Sequence, residues 1–167
     1  MSLDRKYAIA SRIVREIRRD RRSIAMIIGA PVIVMSLIGF SFQTQKSVLN
    51  EAAPALIATM VMFFVFVLTA VSFLRERSQG TLERLLSTAV SRGDLLVGYL
   101  TGFLIFALIQ SLIILMYTLF VINVDYAGKL WDIIFILLIV TITSVNMGIF
   151  VSTFARNEFQ IIQFIPL

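Results

Sequence analysis

The sequence predicts an all-α integral membrane protein with four transmembrane helices, a truncated fifth, an N-terminal interfacial helix and a short helix in the loop between the second and third spans. Three observations predict it. The 167 residues are 59% apolar and only 15% charged, against roughly 25% charged in an average soluble domain, and mean hydropathy is +0.93. Uncharged runs cover 23–45, 52–74, 95–124 and 133–155, each long enough for the roughly 20 helical residues that cross a hydrocarbon core. Thirteen of the fifteen Lys and Arg fall before Ser23, between Arg75 and Arg92, or at Arg156, leaving only Lys46 and Lys129 in the other two connections. That asymmetry predicts a cytoplasmic N-terminus in a cell membrane crossed several times. It also accounts for the net charge of +5 as a matter of topology, with no nucleic acid implied.

The first element is expected over 8–22. Ile9, Ala10, Ile13, Val14 and Ile17 recur at three- and four-residue spacing, with Arg12, Arg15, Arg18, Arg19 and Arg22 on the other side. Such a helix is suited to lie in the membrane interface, its apolar face in the acyl boundary and its arginines on lipid phosphates. The first span follows at 23–42, with Pro31 after Gly29 and Ala30. The second is expected at 54–74, opened by Pro54, whose missing N–H costs little at a helix start. The connections 43–53 and 123–132 are short and leave no room for an outer domain.

Between the second and third spans lies the charged stretch 75–94. Leu82, Leu85, Leu86 and Ala89 stand at i, i+3, i+4 and i+7, the stripe of a two-turn amphipathic helix. Ser91 and Asp94 have capping-box spacing for the third span, 95–122. So short a helix needs a surface to lie on, and both the membrane and a soluble partner are available. Three leucines contribute roughly 1.5–3 kcal/mol of gross burial each on either surface, and the mixed charges of the stretch favour a protein partner.

The spans contain no ionisable side chains other than tyrosines, which argues against a proton relay or charged ion path. Gly98 and Gly102 in span three, and Ser144, Gly148 and Ser152 in span four (133–155), recur every four residues as helix-packing faces. Gln110 and Asn146 need a hydrogen-bonding partner in hydrocarbon and are expected to face protein or a wet cavity. Residues 159–167 read as the start of a fifth span cut off by the C-terminus. No Cys and no His are present, so disulfides, Cys or His metal sites and Cys or His catalysis do not arise, and no cofactor is expected. No phosphate-binding G-x-x-x-x-G-K-S/T run occurs either, so the chain is not expected to be an ATPase.

The stretch "RERSQGTLERLLSTAVSRGDLLVGYLTG" resembles the segment before the third helix of type-two ABC exporter permeases, with its recurrent E-R-x-x-G-T-L-E-x-L-x-x-T-P-x-S-R run. The matching residues are Glu76, Arg77, Gly80, Thr81, Leu82, Glu83, Leu85, Thr88, Ser91 and Arg92. The resemblance implies a coupling helix that docks on a separate cytoplasmic ATP-binding-cassette ATPase, with Glu76, Gly80, Thr81, Leu82, Glu83, Arg84, Leu85, Leu86 and Arg92 as docking residues. It further implies a second permease subunit, membrane lipid around both, and export of a drug-like, lipid-like or other amphiphilic substrate by alternating access. The family's Pro is Ala89 here, which softens the stop of the helix, and the family's usual six spans exceed those in this chain. A non-transporting regulatory or assembly protein that binds a partner through the same loop is the alternative.

The charge division generates a direct expectation for topology. In a chain without cysteine, a single cysteine at position 46 is labelled by an impermeant thiol reagent in intact cells and one at position 92 is not; the opposite pattern overturns the orientation.

Overall fold

The computed structural model describes residues 3–87, 91–125 and 128–163, which form seven helices and no strand. In chain order they are α1 (Leu3–Arg19), α2 (Arg21–Ser41), α3 (Lys46–Ser78), α4 (Thr81–Leu86), α5 (Arg92–Phe120), α6 (Leu130–Ser152) and α7 (Glu158–Gln163). Three of them, α3, α5 and α6, are long and apolar enough to cross a membrane. The apolar stretch Ile28–Ser41 of α2 is a shorter one.

α1 starts and stops earlier than its sequence pattern suggested. At Asp20 its amide hydrogen-bonds the carbonyls of Glu16 and Ile17, and its own carbonyl receives the amide of Ile24. The residue thus closes one helix and opens the next, with its carboxylate at the favourable N-terminal end of α2. α3 in turn begins at Lys46, so Pro54 lies inside the helix rather than at its start. At 1.5 Å per residue its 33 residues extend about 50 Å, well beyond a hydrocarbon core of about 30 Å.

α3 is the hub. Val61, Val65 and Ala70 are completely buried; α2, α4, α5, α6 and α7 all pack against α3, and α1 packs against α5. α6 packs closely on α3, because its small face removes the side chains that would hold the backbones apart. A Cβ on Gly148 would stand 2.8 Å from Thr69 Cβ and 3.0 Å from the Phe66 carbonyl oxygen. Ser144 and Ser152 flank it, buried, with hydroxyls donating back to Val140 and Ile149 carbonyls at 2.7 and 2.6 Å. Satisfied within their own helix, these hydroxyls ask nothing of α3.

The isoleucine stripe of α1 does not enter the acyl boundary as its sequence suggested. Ile9, Ile13 and Ile17 are buried against protein, the first two because α5 offers them a glycine groove. A Cβ on Gly98 would meet Ile9 Cβ at 2.7 Å, and one on Gly102 would meet Ile13 Cβ at 2.9 Å. Farther along α5, Tyr117 shares a hydroxyl hydrogen bond with Ser36 of α2.

Gln110 is 1% exposed and faces protein, its amide atoms without a hydrogen-bond partner among the described residues. Asn146 departs from expectation. It is exposed on α6 and meets its need inside the helix, Nδ2 donating to the Ile142 carbonyl at 2.8 Å.

Gly148→Ala is expected to destabilise the detergent-solubilised protein by about 1–3 kcal/mol through overpacking. Gly29 has nothing within 4 Å of its absent Cβ, so Gly29→Ala gains helix propensity instead, up to about 1 kcal/mol. Thermal unfolding of the two variants gives opposite shifts, and a fall confined to Gly29→Ala refutes the packing account.

Candidate functional site

α3 ends in three consecutive charged residues, Arg75, Glu76 and Arg77. Successive side chains of a helix with 3.6 residues per turn leave it in directions about 100° apart, so these three reach three different neighbours. Arg75 pairs with Glu158 at 2.8 Å at the start of α7, and with Asp20 at 3.7 Å between α1 and α2. Arg77 Nη1 donates to the carbonyls of Ser152 and Thr153 at 3.2 and 2.6 Å. A cation thereby caps the negative end of α6, where carbonyls lack intrahelical donors.

Glu76 turns inward and is only 6% exposed. One guanidinium nitrogen of Arg12 in α1 donates to both of its carboxylate oxygens, at 2.7 and 2.8 Å. The hydroxyl of Tyr99 in α5 donates to Oε2 at 2.9 Å. The buried carboxylate is therefore satisfied by charge-assisted bonds from two separate helices. Phe73 packs edge-on against Tyr99, ring centres 5.2 Å apart, which holds the phenol aimed at Glu76.

Burial works against the charge on Arg12, but attraction to Glu76 and the hydrogen bonds between them outweigh it and hold the guanidinium pKa above its ordinary value. Glu16 sits 3.5 Å from the same Arg12 nitrogen. Its pKa is nonetheless raised, by burial first and then by Glu76, the opposing pull of Arg12 being smaller. Glu16, Asp20, Arg75, Glu76 and Gln79 line one side of a cavity of about 190 Å³ whose apolar floor includes Ile13 and Phe103.

Directly after this knot, Gly80 takes a φ of +68°, a left-handed conformation that side chains disfavour. It reverses the chain into α4. Leu82 and Leu85 are half-buried against the main core, so the surface that the leucine stripe needs is supplied in part by the chain itself. Thr81 is also half-buried. The side chains of Glu83, Arg84, Leu86 and Arg92 lie outside the description, as do residues 88–90 with Thr88 and Ala89. At the far side of the loop, Ser91 Oγ accepts the Asp94 amide at 3.1 Å and donates to its carboxylate at 2.8 Å.

The structure thus separates residues that the sequence grouped. Glu76 is an internal strut, while Gly80 and α4 follow it at the half-buried edge of the core. Arg12 and Tyr99, which the sequence reading did not assign to the site, complete it. Among the described residues no group of three or more His, Cys, Asp or Glu is placed to hold a metal ion.

Several long apolar helices, joined by a polar knot at one end, define a multi-pass membrane protein. The family described as ABC-2 type transporter matches residues 6–167, and the chain belongs to it. Among curated relatives, the probable multidrug ABC transporter permease YbhS of Escherichia coli K12 is 29% identical over 110 residues, 66% of this chain and 29% of that protein. The probable multidrug ABC transporter permease YbhR of the same organism is 30% identical over 107 residues, 64% of this chain and 29% of its own. ABC transporter G family member 20 of Dictyostelium discoideum is 24% identical over 111 residues, 66% of this chain and 15% of its own. The chain therefore matches less than a third of the length of these relatives. No solved structure matches it.

Removing one member of a buried ion pair strands the other, at a cost on the order of 3 kcal/mol. Arg12→Met is accordingly expected to lower thermal stability sharply, while Arg12→Met with Glu76→Gln recovers much of the loss. A double variant no better than the single one contradicts the pairing.

For Glu16 the sign runs the other way from an ordinary ion-paired carboxylate. A carboxyl whose folded pKa is raised binds its proton more tightly when folded, so ionisation above that pKa costs stability. Glu16→Gln should raise the unfolding temperature at neutral pH, with the gain vanishing below the ordinary carboxylate range, where both proteins are neutral at this position. A gain independent of pH contradicts the assignment.

Proposed function

We propose that the chain is the membrane-spanning permease part of an ABC transporter, most consistent with export of an amphiphilic substrate, and that α4 with its flanking loop, 78–94, docks a separate cytoplasmic ATPase. On this reading ATP is hydrolysed on the partner, two permease subunits and two ATPases work together, and the N-terminus is cytoplasmic in a cell membrane. Four spans, the Ile28–Ser41 helix counted among them, fit that topology.

The observation that carries the reading is the adjacency of α4 to the charged knot. A force applied to α4 passes through Gly80 into the end of α3. There Arg75, Glu76 and Arg77 connect it to α7, α1, α5 and α6 within one helical turn. Packed helices and ion pairs of this kind can carry a displacement between an ATPase and the spans. The family match and the permease names of the bacterial relatives agree with it.

Reversing the charge of Glu83 tests the docking role. In a groove of complementary mixed charge, Glu83→Arg sets like against like and weakens association; on an anionic membrane surface it strengthens attachment by about 1 kcal/mol. The expected outcome is a correctly inserted protein that retains less co-expressed ATPase and stimulates less ATP turnover. Leu85→Asp is the less informative control, since Leu85 also contributes to the chain's own core. Full retention and full stimulation in both variants sinks the docking role of the loop.

A further inference from the structure

We infer that Glu16 and Glu76 form a proton-binding site at the basic end of the bundle, in which one proton held between the two carboxyl groups fastens the last turn of α1 to the end of α3. Loss of the proton releases that turn. The geometry requires the proton. The Glu16 carboxyl group hydrogen-bonds that of Glu76, and two ionised carboxylates, which are acceptors only, cannot make such a bond. Glu76 is the accepting partner, because Arg12 already donates to both of its oxygens and Tyr99 to one of them. A carboxylate has about four lone-pair sites, so one remains for an O–H from Glu16.

Arg12 does not replace that proton. Its guanidinium nitrogen stands 2.7 and 2.8 Å from the Glu76 oxygens but 3.5 Å from Glu16 Oε2, so one cation serves two carboxyl groups and serves Glu76 first. Two carboxyl groups in contact resist double ionisation, which is the direction in which Glu16 is shifted. Exposure divides the roles. The side chain of Glu76 is 7% exposed and that of Glu16 51%, so the proton exchanges with water through Glu16 while Glu76 stays ionised in place.

The other charged groups nearby are committed elsewhere or do not donate to Glu16. On α1 these are Asp20, one turn farther on, and exposed Arg19, which makes no ion pair with Glu16. On α3, Arg75 is turned to Glu158 of α7 at 2.8 Å and to Asp20 at 3.7 Å. On α5, the Tyr99 hydroxyl is given to Glu76. The side chains of Arg21 and Arg22 on α2 and of Glu83 and Arg84 on α4 lie outside the description.

The fold makes the proton a fastener. α1 packs along α5, with Ile9 and Ile13 over Gly98 and Gly102, and faces α3 across the cavity of about 190 Å³ that Glu16, Ile17 and Glu76 help to line. The glycine groove holds the first half of α1, and Arg12 ties its middle to Glu76. Glu16 lies one turn beyond that tie, past the groove. When it ionises, Glu76 cannot yield, since burial and its donors hold it, and the repulsion falls on the end of α1.

The test uses the full chain in phosphatidylcholine nanodiscs, with spin labels on Arg19→Cys and Gln79→Cys, two exposed positions in a chain that has no other cysteine. Dipolar broadening between the labels is followed as pH rises, together with the infrared carbonyl stretch of protonated carboxylic acid in the same samples. Strong broadening in acid is expected, lost together with the last of the carboxylic acid band at a midpoint above the ordinary carboxylate range. Glu16→Gln, whose amide N–H donates to Glu76 without titrating, keeps the broadening throughout and lacks the part of the band that persists above that range. Asp20→Asn responds like the parent.

Broadening that still falls with pH in Glu16→Gln overturns the site, as does a midpoint within the ordinary carboxylate range. Loss of the acid band with unchanged broadening shows a proton that fastens nothing and overturns it as well. Loss of the response in Asp20→Asn assigns it to the contact between Asp20 and Arg75 instead. Neither readout involves α4, an ATPase or transport, so the proton site and the proposed function stand or fall separately.

Discussion

The arrangement at the basic end depends on one constraint: the Glu76 carboxylate is buried and must be satisfied there. A carboxylate removed from water without partners costs several kcal/mol. Arg12 and Tyr99 can supply those partners only if α1 and α5 both lie against the end of α3. Satisfying one side chain therefore positions three helices. Arg75 and Arg77, on either side of it in sequence, extend the same knot to α7 and α6 through geometry alone.

Small residues make that geometry attainable. The Arg12 guanidinium reaches Glu76 because α1 settles into the Gly98 and Gly102 groove, where any side chain would collide with Ile9 or Ile13. On the opposite flank, Gly148 brings α6 close enough to α3 for Arg77 to reach the end of α6. Close backbone approach and charge satisfaction support one another, since neither pair of helices could keep its polar contacts at ordinary separation. The amide of Gln110 and the hydroxyls of Thr69 and Thr141, without hydrogen-bond partners among the described residues, lie deeper, where packing has been satisfied ahead of hydrogen bonding.

On the proposed function, this design places a chain reversal directly beside the charged knot. Gly80 provides the reversal, α4 is a short helix resting partly on the core, and the chain returns through a firmly capped start of α5. A docked ATPase would thus act on an element only one turn removed from a junction of five helices.

Much of the fold was legible in residue order, because hydrophobic length, positive-charge asymmetry and cap spacing are local properties. The long apolar helices α3, α5 and α6, the Ser91 cap, the two small-residue faces and the short helix after Gly80 can all be read from neighbours within a turn or two. What the sequence could not decide was which surface each amphipathic stripe would meet. Ile9 and Ile13 suit lipid and protein equally, and the glycines that claim them lie more than eighty residues away. Likewise Glu76 among arginines looks like a solvated charge until Arg12 and Tyr99 arrive from two other helices to desolvate and satisfy it. Such pairings depend on which helices come together in space. Only the tertiary structure decided them, because burial, and the hydrogen bonds that burial demands, are properties of neighbours in space and not of neighbours in the chain.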